Sequence, residues 1–353
     1  MYRKIKTGIA SFGMSGSVFH APLINSNTGF ELSAIVERHA DKSREKYSFS
    51  KLFRSFDDLL NDKEIELVVV NTPDYLHFEY AKFALEAGKH VVVEKPFTQK
   101  YDDARTLLDL AKKKNLILSV FQNRRWDGDF LTVQKIIKDK MLGRLVSFES
   151  HFDRYRNFIQ EGTWKEESES GTGIVYNLGT HLIDQAIVLF GAPVGVSAEI
   201  KTLRTGGKVD DYFTIQLEYN EKMSVSIRGS MLVKEQGPRY ILHGTEGSFL
   251  KWGTDPQEQD LKDGKIPGQP GWGKEKEEDW GLLHTAEKGK DFRGDIETIP
   301  GNYQTFYNGI YHAIRENKAL PVDPTDSALC IKIVEAAFES SLLGKVVTLN
   351  NYA

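Results

Sequence analysis

The pattern of hydrophobic and polar positions changes character near residue 122. From Ile5 to about Val120, short apolar runs rich in β-branched residues alternate with stretches that repeat apolar residues at helical spacing. Such runs are typical of parallel strands buried on both faces, and their alternation with helices predicts a doubly wound α/β domain. The predicted strands are Ile5–Ala10, Leu32–Val36, Leu67–Asn71, His90–Val93 and Leu116–Val120, and the helices are Tyr75–Ala87 and Asp102–Lys114.

In the second part of the chain, strand-like runs follow one another with short links, which favours an antiparallel sheet. The polar stretch from Asp255 to Gly294 is interpreted as a long excursion, either a flap or a surface loop without function. The predicted strands are Val194–Leu203, Tyr212–Tyr219, Met223–Gly229, Arg239–Gly244, Ser248–Trp252 and Val346–Leu349. Helices are predicted over Phe130–Asp139, Asn177–Phe190, Phe306–Arg315 and Ala328–Leu342.

These patterns predict two domains of the α/β class. We expect a Rossmann (doubly wound parallel sheet) domain over residues 1–121. An α+β domain with a large, mostly antiparallel open sheet would follow over residues 122–353. A chain of this length exceeds the size at which a single hydrophobic core usually keeps growing.

Composition narrows the function classes. The net charge is −4, with acids and bases mixed along the chain, so we expect no nucleic-acid partner. No apolar run is long enough to span a bilayer, so we expect no membrane partner. The single cysteine, Cys330, cannot form an internal disulfide, and no histidine–acid spacing suggests a metal site. A reducing cytoplasm is the expected location.

The first strand is followed by Ser11-Phe12-Gly13-Met14-Ser15-Gly16, a dinucleotide fingerprint with serine in place of the first glycine. Gly13 would let the backbone approach a pyrophosphate, and Gly16 would allow close packing of helix on strand. Amide groups at the start of that helix would face the anion. Because glycine-rich turns are common, an ordinary turn is an equal alternative.

The second strand ends at Glu37-Arg38, where dinucleotide folds contact the adenosine ribose. Glu37 accepting hydrogen bonds from both ribose hydroxyls would favour NAD, whereas Arg38 paired with a 2′-phosphate would favour NADP. A solvated strand end is the alternative without function. The residues leave both cofactors open, with a slight preference for NAD because of Glu37.

Glu94-Lys95-Pro96 directly follows the fourth apolar run, at a carboxyl end where open α/β sheets bind ligands. A lysine there can place its ammonium against a substrate oxygen that becomes alkoxide-like during oxidation. An isolated Glu-Lys-Pro is usually a plain turn. Its position after a strand, behind a dinucleotide fingerprint, favours the functional interpretation.

A second chemical cluster lies in the Gly171–Gln185 segment. If the segment is helical from Asn177 onward, then Asn177, His181 and Asp184 share one helical face. Histidine can take the proton of a hydroxyl during oxidation and return it during reduction. A structural histidine held by Asp184 is an equal alternative on spacing alone.

Together these pieces resemble the Gfo/Idh/MocA family of oxidoreductases over essentially the whole chain. The likeness includes Asn71-Thr72-Pro73 with His77, Glu94-Lys95-Pro96, and Pro321-Val322 before the terminal helix. The strings Gly13–Leu23, Gln122–Thr132 and Gly237–Gly244 are similar to the subgroup that contains NADP-dependent scyllo-inositol 2-dehydrogenase.

The resemblance implies an NAD- or NADP-dependent dehydrogenase that acts on a hydroxyl group of a cyclic polyol or sugar, with scyllo-inositol as the first expectation. Lys95 would be the catalytic lysine and His181 the proton-transferring histidine. The second domain's sheet would mediate a homo-oligomer, a dimer or tetramer. Near the substrate we expect Arg124, Trp126, Tyr155, Arg156, Asn177 and Asp184. Near the cofactor we expect Ser11, Phe12, Gly13, Met14, Ser15, Gly16, Glu37, Arg38, Asn71, Thr72, Pro73, His77, Glu94 and Lys95.

Two departures from the family pattern keep alternatives open. Asn177 stands where the family usually has aspartate, and asparagine can orient an imidazole without compensating its charge. Glu37 stands where NADP-dependent relatives tend to lack an acid. The alternatives are a non-catalytic transcriptional regulator that senses NAD(P), an aldose dehydrogenase for glucose or xylose, and a reductase of linear tetrapyrroles or aromatic diols.

Overall fold

The computed structural model describes residues 3–163, 166–167, 171–287 and 290–349. The helices in these ranges are α1 (Ala21–Ser26), α2 (Phe56–Asn61), α3 (His77–Glu86), α4 (Tyr101–Lys114), α5 (Gly128–Lys138), α6 (Thr180–Phe190), α7 (Gln257–Lys262), α8 (Gln304–Glu316) and α9 (Pro324–Leu343). Over the residues that the structure describes, no helix is long and apolar enough to cross a membrane.

The chain forms two compact units that are not consecutive in sequence. The first unit comprises Met1–Trp126, Pro256–Trp272 and Asn302–Ala328, and the second comprises Asp127–Asp255, Gly273–Gly301 and Leu329–Ala353. This division differs from the predicted single boundary after residue 121. The reason is packing, because later residues are buried in the core of the first unit, among them Leu261, Tyr303, Phe306, Tyr307, Ile310 and Val322.

The first unit is built on a six-stranded parallel sheet in the order β3-β2-β1-β4-β5-β6. Its strands are β1 (Ile5–Ile9), β2 (Phe30–Val36), β3 (Lys51–Phe53), β4 (Leu67–Val70), β5 (His90–Val93) and β6 (Leu118–Val120). The four residues of β4 are fully buried, as expected for a strand covered on both faces. The strand order reverses between β1 and β4, and ligands bind at the carboxyl ends beside such a switch point.

The second unit is built on a nine-stranded sheet in the order β14-β13-β12-β11-β7-β10-β9-β8-β15. Its strands are β7 (Leu145–Asp153), β8 (Gly195–Lys201), β9 (Tyr212–Glu218), β10 (Ser224–Ser230), β11 (Tyr240–Gly244), β12 (Gly247–Lys251), β13 (Gly281–Glu287), β14 (Lys290–Ile296) and β15 (Val347–Thr348). Strands β7 and β10 pair in parallel, and the other neighbours are antiparallel. The predicted fold class is confirmed.

The interpretation of residues 255–294 as an irregular excursion is wrong. The segment contains α7, a 3₁₀ turn at Glu277–Asp279, and β13 with most of β14, which form a hairpin at one end of the sheet. In β14, half-buried Phe292 and Ile296 alternate with exposed charged residues. Because an edge strand needs few apolar side chains, the polar composition of β14 makes the alternation of buried and exposed positions hard to recognise in the sequence.

Strand β7 is absent from the predicted strands, although it lies inside the sheet. Phe148, Ser150 and Phe152 are buried and alternate with half-buried polar residues. The interleaved Glu149, His151 and Asp153 obscure the apolar alternation of a strand whose buried face packs on the core.

Candidate functional site

The loop after β1 is tied to the residue that follows β4. The Ser11 amide donates to Asn71 Oδ1 at 3.0 Å, and the Ser11 hydroxyl donates to the Asn71 carbonyl at 3.0 Å. Asn71 Nδ2 donates in return to the Ser11 carbonyl at 2.8 Å. Ser11 has no left-handed backbone, so a side chain costs no strain at the position of the missing first glycine.

The two remaining fingerprint glycines serve different ends. A Cβ on Gly16 would lie 2.2 Å from the Ser11 carbonyl oxygen and 2.7 Å from Asn71 Nδ2. Only glycine at this position therefore allows the chain to pack so closely against the loop. A Cβ on Gly13 would meet nothing nearer than Ser11 Oγ at 3.7 Å. The space beside Gly13 is therefore open, and the residues fit the backbone approach that a pyrophosphate requires.

A cleft lies along the carboxyl ends of these strands. Its walls include Ser11, Phe12, Glu37, Arg38, Thr72 and Pro73. An adjoining hollow shares Phe12 and Lys42 with it and adds Gly13 and Met14. Eight of the predicted cofactor residues thus line the cleft or the adjoining hollow of the first unit; Ser15, Gly16, Asn71, His77, Glu94 and Lys95 line neither.

Glu37 is buried and engaged by its own chain. Its Oε1 accepts from the Lys42 amide at 3.1 Å, and its Oε2 accepts from the Ser43 amide at 2.9 Å. The Ser43 hydroxyl also donates to Oε2. Glu37 therefore holds the 3₁₀ turn Lys42–Glu45 in place, a role that the sequence pattern does not predict.

The Glu94-Lys95-Pro96 turn is held from behind by a chain of buried side chains. Tyr307 Oη lies 2.6 Å from His20 Nδ1, and His20 Nε2 lies 3.1 Å from Glu94 Oε1. The other carboxylate oxygen, Oε2, accepts from the Lys95 amide at 2.9 Å. The result is a fixed backbone position for Lys95 at the carboxyl end of β5.

The Glu94 carboxylate carries its charge at neutral pH. Burial by itself would raise the pKa of Glu94, but the hydrogen bond from His20 and the nearby charge of Lys95 lower that pKa below its ordinary 4.5. A negative charge thus lies close enough to the Lys95 ammonium to interact with it.

His77 ties the turn to the end of β4. Its Nδ1 lies 2.7 Å from the Pro96 carbonyl oxygen and its Nε2 lies 3.0 Å from the Thr72 carbonyl oxygen. Burial lowers the pKa of His77, so the neutral ring has one N–H and donates to one of the two carbonyls. His77 therefore supports the loop from the first position of α3.

Arg124 and Trp126 lie in the short 3₁₀ segment after β6. The buried Arg124 guanidinium donates to Glu258 Oε2 at 2.6 Å. Burial opposes the charge of Glu258, but Arg124 and Lys262 lower its pKa to about 2. The Trp126 carbonyl accepts from Gln257 Nε2 at 3.1 Å and from the Asn302 amide at 3.0 Å. Their predicted role at the substrate remains a prediction.

The second unit carries the predicted proton-transferring residue at the start of α6. The helix does not begin at Asn177 as predicted; a π turn over Val175–Gly179 precedes α6. His181 and Asp184 are buried, and Asn177 is half-buried. Single π turns inside helices occur frequently at functional sites.

The backbone before that π turn is held by Asp210. Its Oδ2 accepts from the Val175 amide at 2.8 Å, and its carbonyl accepts from the Ile174 amide at 3.0 Å. Burial raises the pKa of Asp210 to about 6, although these hydrogen bonds oppose the shift. A Cβ on Gly173, whose φ is +90°, would lie 1.9 Å from Asp210 Oδ1. Only glycine fits this contact.

Tyr155 and Arg156 lie on an exposed stretch just after β7. The Tyr155 ring lies 5.6 Å from Lys234 Nζ, and the Arg156 amide donates to the Met231 carbonyl at 2.7 Å. The segment is therefore fixed by its backbone, with both side chains at the surface of the second unit.

The residues of these arrangements that are absent from the predicted site include His20, Lys42, Ser43, Asp210, Glu258 and Tyr307. His20 lies inside the Gly13–Leu23 string, and a histidine on the buried face of a fingerprint helix is a usable signal. Tyr307 and Glu258 are far from the site in sequence, so no local pattern brings them to it.

Comparison with known proteins identifies the family. The model "Oxidoreductase family, NAD-binding Rossmann fold" matches residues 5–122, and "Oxidoreductase family, C-terminal alpha/beta domain" matches residues 134–349. A scyllo-inositol 2-dehydrogenase (NADP(+)) of Bacillus subtilis is 39% identical over 98% of this chain and 96% of its own. An uncharacterized oxidoreductase of Schizosaccharomyces pombe is 42% identical over 96% of this chain and 97% of its own.

Solved structures agree with this assignment. A structure from Bacteroides fragilis, named only as an oxidoreductase, has a TM-score of 0.91 at 50% identity over 98% of this chain and 100% of its own. One from Yersinia pestis has a TM-score of 0.94 at 38% identity over 100% of this chain and 99% of its own. The chain is an oxidoreductase of the Gfo/Idh/MocA family, with an NAD-binding Rossmann domain.

Proposed function

We propose that the chain transfers a hydride between a nicotinamide dinucleotide and a secondary alcohol or ketone of a cyclic polyol or sugar, with a scyllo-inositol-like substrate first. The observation that carries the proposal is the fixed lysine. Lys95 follows β5 with its backbone bound by the buried Glu94–His20–Tyr307 chain. The sheet that bears it also bears the Ser11–Gly16 loop, which fits a dinucleotide.

The chemistry divides between two residues. The nicotinamide, when bound, supplies the hydride acceptor or donor. In the oxidation direction the C–H hydrogen leaves with its electron pair, and the hydroxyl proton goes to His181. Lys95 stabilises the negative charge that grows on the substrate oxygen, in the manner of a preorganised cation. Reduction reverses both transfers.

The substrate class rests on relatives rather than on geometry. The Bacillus subtilis relative is named for scyllo-inositol, and a relative 26% identical over 60% of this chain is named levoglucosan dehydrogenase. Cyclic polyols are therefore the first class to test, and cyclic sugars, including the aldoses glucose and xylose, are the second.

The test is turnover of inositols, aldoses and an anhydrosugar with NAD and with NADP, followed by absorbance of the reduced nicotinamide. Lys95→Met should lower kcat by about 10³-fold, since removing a group that stabilises transition-state charge typically costs 10²–10³. Lys100→Met is the matched control, because Lys100 is an exposed lysine just before α4. It should leave kcat unchanged.

No turnover across the panel, with cofactor binding intact, would sink the proposal in favour of a regulator that senses the dinucleotide. In that outcome Asn177, which replaces the family aspartate, becomes the residue to restore: Asn177→Asp should then produce activity.

We also propose a homo-oligomer formed through the sheet of the second unit. On β9 and β10, polar residues alternate with the buried ones, among them Thr214, Gln216, Ser226 and Arg228. Light scattering should give a dimer or tetramer; a monomer at micromolar concentration would contradict this.

A further inference from the structure

We propose that this site selects NADP over NAD, with Arg38 and Lys42 binding the 2′-phosphate and with Glu37 acting as the residue that positions Lys42. The inference rests on the proposed dinucleotide site and reverses the preference suggested by an acid at the end of β2. The inference is based on the hydrogen-bond partners of the Glu37 carboxylate.

Glu37 has too few lone pairs left to grip a ribose diol. A carboxylate oxygen offers about two acceptor sites. Oε2 accepts from both the amide and the hydroxyl of Ser43, and Oε1 accepts from the Lys42 amide. One site remains on Oε1, so two ribose hydroxyls could be held together only by breaking the turn.

The charge of Glu37 is also offset before it can repel a phosphate. Three donors point at its carboxylate from the first two residues of the Lys42–Glu45 turn, and the residue is only 7% exposed. The neighbouring acid Asp41 is paired with Arg54 at 2.5 Å. Glu37 and Asp41 therefore have compensating partners, and the third acid of the turn, Glu45, is exposed and lines the adjoining hollow rather than the cleft.

Among the described residues, the two cations that line the cleft have no such partners. Arg38 and Lys42 line the cleft, and both are exposed. Within the described part of the chain, neither has a carboxylate within ion-pair distance of its side chain. A 2′-phosphate carries up to two negative charges and three acceptor oxygens, which a pair of cations binds far better than a neutral hydroxyl.

Lys42 owes its place to Glu37. The Lys42 amide is bound by Oε1, and the next residue is bound by Oε2, so the carboxylate fixes the backbone from which the Lys42 side chain starts. Glu37 thus serves phosphate binding indirectly, although its charge has the wrong sign for direct contact.

The experiment is calorimetric titration of the full chain with NADP and with NAD, without substrate. NADP should bind at least tenfold more tightly, about 1.4 kcal/mol, because its 2′-phosphate gains charge-assisted contacts that the ribose hydroxyl of NAD cannot make. Arg38→Ala and Lys42→Ala should each weaken NADP by about tenfold and leave NAD within about twofold.

Arg44→Ala is the matched control. Arg44 is an exposed cation on the same turn that lines neither the cleft nor the adjoining hollow. It should change the affinity for neither dinucleotide. If it weakens NADP as much as Lys42→Ala does, general surface charge explains the preference and the assignment is overturned.

Glu37→Gln separates positioning from direct contact. If Glu37 positions Lys42, Glu37→Gln should weaken the binding of NADP more than that of NAD. As a ribose-binding residue it would predict the reverse, and that outcome overturns the proposal. Equal or tighter binding of NAD by the wild type also overturns it, whereas binding of neither dinucleotide removes the proposed function itself.

Discussion

Two glutamates end two strands of the same parallel sheet and do different work. Glu37 follows β2 and binds the amides of Lys42 and Ser43, which shape a turn beside the cleft. Glu94 follows β5 and binds a histidine ring and the amide of Lys95. The residue type, burial and position at the sheet edge are shared, and the hydrogen-bond partners differ.

The difference shows that a strand-end position predicts proximity to a ligand but does not predict contact with it. Glu37 is surrounded by backbone donors from its own turn, so its charge is used within the fold. Glu94 faces charged neighbours that lower its pKa, so its charge acts on Lys95. The proposal therefore places cofactor selection in the first region and chemistry in the second.

Of the two glutamates, Glu94 has the larger expected effect. Glu94→Gln turns one accepting oxygen into an amide N–H, which cannot serve both His20 and the Lys95 amide, and it removes the charge beside Lys95. We expect kcat to fall by about 100-fold, as for other partners that orient a catalytic group. Glu86→Gln, at an exposed position at the end of α3, is the control in steady-state assays.

The next largest effects are expected at Gly13 and Gly16, in the loop that follows β1. Gly16→Ala places a methyl group 2.2 Å from the Ser11 carbonyl and should cost about 2–3 kcal/mol of unfolding free energy. Gly13→Ala meets nothing closer than 3.7 Å and should change stability by less than about 1 kcal/mol, yet weaken NADP binding. Urea unfolding and calorimetry measure the two quantities separately. Equal losses of stability in the two variants would contradict the difference in free space beside Gly13 and Gly16.

Asp210 offers a buried carboxylate with the opposite shift. Burial raises its pKa to about 6 from 3.8, so the folded state binds a proton more tightly than the unfolded state. Its contribution to stability should therefore rise as the pH falls from about 6 towards 3.8, by about 2 kcal/mol. Asp210→Asn should remove this part of the pH dependence in thermal melts at pH 5 and pH 8. Parallel curves for wild type and variant would contradict the assignment.

The smallest effect is expected at Ser43, and it tests how Glu37 acts on the cleft. Ser43 is buried and lines neither the cleft nor the adjoining hollow, so Ser43→Ala can reach a ligand only through the turn. It should lose about 1 kcal/mol of stability, the usual value of one hydrogen bond, and weaken NADP by a few-fold. If the affinity for NADP is unchanged, the contacts of Glu37 with the turn do not determine where Lys42 binds the phosphate.

Much of the fold is predictable from periodicity, and the errors have physical causes. His90–Val93 is a strand with the predicted ends, since its β-branched run is buried on both faces. The alternation in β7 and β14 is masked by polar residues on exposed or half-exposed positions. The return of residues 302–328 to the first unit depends on long-range packing of α8, which no local pattern specifies.

The site follows the same rule. Fingerprint and turn residues are local patterns, and the structure gathers Ser11, Asn71 and Gly16 as such patterns suggest. The chain of Tyr307, His20 and Glu94 joins residues far apart in sequence, so it emerges only from the fold. The use of Glu37 depends on the turn that follows it, because the same carboxylate could equally bind a ribose.

The most direct test of this division is to measure kcat and the dinucleotide Kd for Glu37→Gln and Glu94→Gln side by side. We predict that Glu94→Gln loses kcat and keeps its Kd for NADP within about threefold. Glu37→Gln should raise the Kd for NADP about tenfold and keep kcat at saturating NADP within about twofold. If both variants lose kcat alike, or if Glu37→Gln weakens NAD rather than NADP, the two glutamates do not divide cofactor selection from chemistry.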